Sequence, residues 1–71
     1  MPKLCSSDTV ARVLLRRGFI FVSQRGSHAK FRKGNGKTLT VIVPMGRKEI
    51  PLGTLRSIVR QSGLGMDVFR A

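Results

Sequence analysis

Apolar residues along the chain change their spacing twice, from helical to strand-like and back to helical. Val10, Val13 and Leu14, with Arg17 on the same side, follow the 3.6-residue period behind Ser6-Ser7-Asp8, whose short polar side chains suit an N-cap. The spacing predicts a first helix over Ser7 to Arg17, stopped by Gly18. Phe19 to Arg25 is then dense in aromatic and β-branched residues, and Gly26-Ser27 breaks it with turn chemistry. From His28 the pattern alternates: His28, Lys30 and Arg32 share one parity, Ala29 and Phe31 the other, as in a half-buried strand. Gly34-Asn35-Gly36 suits a hairpin turn, and Thr38 to Val43 forms a third β-rich run ended by Pro44. Met45 to Pro51 reads as a basic loop. Leu55, Ile58 and Val59 restore helical spacing and predict a helix over Gly53 to Ser62. Leu64 to Ala71 has room for one more short turn, with Asp67 at its start and Val68 or Phe69 as its anchor.

Each of these elements has one apolar side, so three strands and two helices bury it together only by stacking both helices on one face of the sheet. The expected class is α+β: an α-β-β-β-α two-layer sandwich with a three-stranded antiparallel sheet. A chain of 71 residues supports one core, so residues 1–71 are read as a single domain. With Phe31 turned toward the helices, strand periodicity sends His28, Lys30 and Arg32 to the uncovered face.

Charge narrows the partner. Fourteen Lys and Arg against three acids give a net charge of +11, spread from Lys3 to Arg70. A field of this kind repels itself and suits an anionic partner, and nucleic acid fits best because each neutralised phosphate releases counterions. A membrane is not expected as the partner. The longest apolar runs fall far short of the roughly 20 residues that span a bilayer, and Lys3 leads into polar Cys5-Ser6-Ser7-Asp8 rather than a signal-peptide core. The expected location is the cytoplasm. Cys5 is single, which excludes an internal disulfide and a cysteine-paired zinc site. Asp8, Glu49 and Asp67 are too few and too scattered for a two-metal nuclease, so no metal and no cofactor are called for.

His28 is the only histidine, and three features of its context favour chemistry over a plain surface role. Gly26 and Ser27 set it at the edge of a turn, where a side chain projects from a fixed scaffold. Arg25, Lys30, Arg32 and Lys33 surround it in sequence and would attract phosphate. Breaking an RNA strand without metal requires removal of the 2′-hydroxyl proton, stabilisation of charge on the phosphate and a proton for the leaving oxygen. Imidazole can do the first or last of these and Lys or Arg the second. Arg47, Lys48 and Arg56 are further candidates for gripping an RNA backbone. Ser27 beside His28 is no triad, since strand neighbours point to opposite faces. Gly34-Asn35-Gly36-Lys37 lacks the spacing of a phosphate loop. The residues alone leave two readings open: a ribonuclease, or an RNA-binding module in which His28 hydrogen-bonds or stacks.

The order of motifs resembles the HicA family of toxins from toxin-antitoxin systems. The resemblance runs through Gly18-Phe19, Gly26-Ser27-His28 with Lys30-Phe31, Val43-Pro44, Gly53-Thr54-Leu55-Arg56-Ser57-Ile58 and Arg60-Gln61-Ser62-Gly63-Leu64. It implies a fold like the double-stranded RNA-binding domain, mRNA interferase activity, His28 as the catalytic residue and a HicB antitoxin as cognate partner. Many relatives have a second histidine after the Val-Pro that ends strand three. Here the chain continues Val43-Pro44-Met45-Gly46, so the resemblance supplies no second imidazole.

Overall fold

The computed structural model describes residues 5–69. Its elements follow in the order α1 (Ser7–Arg16), β1 (Ile20–Arg25), β2 (His28–Asn35), β3 (Lys37–Pro44), α2 (Leu52–Ser62) and α3 (Met66–Phe69). Lys3, Arg70 and Ala71, which enter the reading of the termini above, lie outside the described residues. The strands form one antiparallel sheet in the order β1-β2-β3, so the class is α+β.

α1 starts at Ser6, whose hydroxyl oxygen accepts the Thr9 N–H at 3.1 Å and satisfies one of the free donors of the first turn. Its buried face carries Val10 and Leu14. α2 buries Leu55 and Ile58. These residues meet Ala29 and Phe31 of β2 and Val41 and Val43 of β3 in one cluster, which puts both helices on the same face of the sheet. Full burial of side chains of this size stabilises by about 1.5–3 kcal/mol each. Phe19, Ile50 and Phe69 complete the cluster from outside the longer elements. α3 lies against α1, and the Cys5 thiol donates to the Phe69 carbonyl, tying the segment before α1 to the last turn of the chain.

Element limits differ from the sequence reading by a residue or so. α1 stops at Arg16 because Arg17 already leaves helical geometry, and Arg17 is exposed rather than part of the apolar stripe. α2 begins at Leu52, behind Pro51 at the N-cap. The last turn starts at Met66 and is anchored by Phe69, which is 1% exposed. β1 begins after Phe19: that ring is buried, whereas every residue of β1 is exposed.

Candidate functional site

β2 is the middle strand, and its alternation decides which side chains meet. Ala29 and Phe31 enter the core, while His28 and Arg32 are exposed and Lys30 half-exposed on the side away from the helices. Register extends this row across the sheet. His28 pairs with Arg25 on β1 and Pro44 on β3, Lys30 with Ser23 and Ile42, and Arg32 with Ile20 and Thr40. Directly paired residues on antiparallel strands hold their Cβ atoms about 4.5–5.5 Å apart, and residues two apart on one strand lie about 7 Å apart. Arg25 and Lys30 therefore flank His28 within the span of a phosphodiester. Ser23, Arg25, His28, Lys30 and Ile42 line one depression of about 290 Å³.

The turn before His28 is short and fixed. Arg25 and His28 close a two-residue hairpin in which Gly26 has φ 60° and Ser27 does not enter the left-handed region. Such a turn needs glycine at its first central position. The Gln24 side-chain amide donates to the Gly26 carbonyl at 3.1 Å, and the Met45 N–H donates to the Ser27 carbonyl. That second bond draws the segment after β3 to the turn that carries His28, and it is Met45-Gly46 that occupies this position. No imidazole is present there, the residues being Met45 and Gly46.

The loop bearing Arg47 and Lys48 is pinned from below. Ser7 is 1% exposed; its hydroxyl donates to the Pro44 carbonyl at 2.5 Å and accepts the Arg47 N–H at 3.0 Å, while its own N–H donates to the Arg47 carbonyl at 2.9 Å. The Ile50 N–H donates to the Cys5 carbonyl at 2.7 Å. Arg47 and Lys48 are thus exposed side chains on a held backbone that follows directly from Pro44, the partner of His28.

Two of the basic residues named from sequence fall elsewhere. Lys33 has the parity of Ala29 and Phe31, so it turns to the helix side, where its ammonium sits 5.7 Å from the centre of the Phe19 ring. Arg56 is exposed on α2, in the helical layer. Ser23 and Ile42 join the depression although no motif marks them. The signal for Ile42 was its position between Val41 and Val43, which share the core face and leave Ile42 on the other; Ser23 depends on a bulge between Phe21 and Ser23 that shifts the pairing.

A two-layer α+β domain with one open, cationic sheet face that carries an imidazole at one end defines a class of small protein suited to an anionic partner. Compared with family models, residues 7–64 match that of the HicA toxin of bacterial toxin-antitoxin systems. The chain belongs to this family and is a toxin whose partner is an antitoxin. No curated protein matches it.

Proposed function

We propose that this toxin is a metal-independent endoribonuclease that cleaves mRNA and so inhibits translation, and that a HicB-type antitoxin neutralises it. His28 is the catalytic residue. It takes the proton of the 2′-hydroxyl as that oxygen attacks the adjacent phosphorus, or it protonates the departing 5′-oxygen, leaving a 2′,3′-cyclic phosphate on the first fragment. Arg25, Lys30 and Arg32 stabilise the charge that builds on the phosphate oxygens, and Arg47 and Lys48 hold the neighbouring backbone. Gly26 and Ser27 position the imidazole. The observation that carries this reading is the shared depression of His28, Arg25 and Lys30 on the face the helices leave open. One general acid-base group of this kind contributes about 10² to 10⁴-fold in rate.

The test is cleavage of end-labelled RNA by the purified toxin and its His28→Ala form, with chelator present throughout. Loss of at least a hundredfold in rate with RNA affinity retained is the expected result. Equal cleavage by both forms, or activity only on adding a divalent cation, overturns it. RNA binding without cleavage by either form would assign the chain to the non-catalytic reading, which the absence of an imidazole at Met45-Gly46 favours.

A further inference from the structure

The sheet has two edges, and α2 reaches one of them. Along β3 the Ile42 N–H, which would otherwise face solvent, donates to the Gln61 side-chain carbonyl of α2 at 3.1 Å, and α2 packs beside the strand. No strand lies along the outer edge of β1, and no hydrogen bond reaches that edge among the described residues. An open edge is a template for another strand, and proteins usually blunt it with charge or proline. Here the five residues Ile20 to Gln24 carry neither, and the one interruption is the bulge between Phe21 and Ser23. The same stretch is apolar on the surface: Ile20 is 64% exposed, Phe21 52% and Val22 40%. Leu15, on the last turn of α1 and five positions before Ile20, is also exposed. Exposed apolar residues scattered singly are ordinary, but a concentration of them along an unpaired edge marks an interaction surface.

We infer that the outer edge of β1 is the docking site for an extended, acidic segment of the antitoxin, which adds a fourth strand to the sheet. Main-chain pairing supplies the affinity and the apolar side chains of Ile20, Phe21 and Val22 supply specificity. Charge selects the occupant. Arg16, Arg17, Arg25 and Arg32 are exposed around the ends of the strand, so the incoming segment carries Asp or Glu opposite them. A second copy of this chain would set +11 against +11, and an RNA strand has no peptide groups to pair with the edge. Neighbouring strands lie about 4.8 Å apart, so the added strand runs roughly 10 Å from β2 and brings the antitoxin body beside the depression at His28. The inference rests on membership of a toxin-antitoxin family and not on the chemistry assigned to His28.

Hydrogen-deuterium exchange on the free toxin and on its purified complex with the cognate antitoxin tests the inference. The expected result is a slowing of at least tenfold at the amides of Ile20 to Gln24 in the complex. A Leu15→Glu/Val22→Glu double variant should weaken the complex at least tenfold and leave the RNA cleavage of free toxin within twofold of the parent. Unchanged exchange along β1 in the complex, or unchanged affinity of the double variant, overturns the proposal. So does protection of β1 by single-stranded RNA alone, or protection that grows with toxin concentration in the absence of antitoxin. A toxin that proves unable to cleave RNA but shows the protection would refute the ribonuclease reading and keep this one.

Discussion

Ser7 is a buried polar side chain whose hydroxyl has an acceptor in the Pro44 carbonyl at the end of β3 and a donor in the Arg47 N–H of the loop that follows. Ser7→Ala removes the oxygen and leaves the Arg47 N–H and the Pro44 carbonyl facing a methyl group in a site water does not reach. A buried group stripped of its partner costs about 1–3 kcal/mol. In urea titrations the variant should show a lower midpoint with an unchanged slope, the signature of lost stability without a change in the unfolded state. A midpoint equal to the parent's would mean that the loop relaxes to water, and that Ser7 does not hold Arg47 in place. The residue was invisible as a fastener in the sequence. A serine in front of Asp8-Thr9-Val10 reads as a capping group, and it is Ser6 that caps, leaving Ser7 free for a contact 40 positions away.

Among the elements, β2 was the most legible and β1 the least. β2 has one face on the core, so its alternation of Ala29 and Phe31 with His28, Lys30 and Arg32 already contains the orientation of the site. The same rule, carried one residue further, also puts Lys33 on the helix side, opposite His28, Lys30 and Arg32. β1 could not be read this way. Its Ile20, Phe21 and Val22 suggest burial, yet nothing in local composition says that a strand will stand at the edge of a sheet. The pairing of Ser23 with Lys30, and hence Ser23 in the depression, depends on a bulge that exists only once two strands meet. α3 was half legible, because four residues are too few for a period, and the choice between Val68 and Phe69 needed α1 as the surface to pack on. Phe69 is 1% exposed in the core cluster, and Phe69→Ala should cost about 3–5 kcal/mol. Domains of this size have roughly 4–10 kcal/mol in total. The variant should therefore lose its cooperative thermal transition, or keep it only with the midpoint lowered well beyond 10 °C, as followed by circular dichroism. A shift of only a few degrees would mean that α3 is an ornament on α1 and not part of the fold.

For the whole molecule the question is whether the +11 charge acts as a diffuse cloud or as a face. The domain measures 37 × 27 × 19 Å, and screening at physiological salt falls off over about 8 Å. Charges on the helix side of the sheet, such as Arg56 and Lys33, would thus be largely screened from an RNA strand bound at the open face. Counterion release converts this geometry into a number, because the logarithm of the affinity for a single strand falls with the logarithm of salt at about −0.7 per phosphate neutralised. If Arg25, Lys30, Arg32, Arg47 and Lys48 each hold one phosphate, the slope is about −3.5; if every net charge takes part, it approaches about −8. Fluorescence anisotropy of a labelled oligoribonucleotide with the His28→Ala toxin, between 50 and 300 mM salt, separates the two without interference from cleavage. The site described above predicts the smaller slope, reduced by about 0.7 in Arg32→Ala and unchanged in Lys33→Ala. Equal losses in these two variants, which are neighbours in sequence on opposite faces of one strand, would show that strand parity does not direct RNA to the side of the sheet where His28 stands.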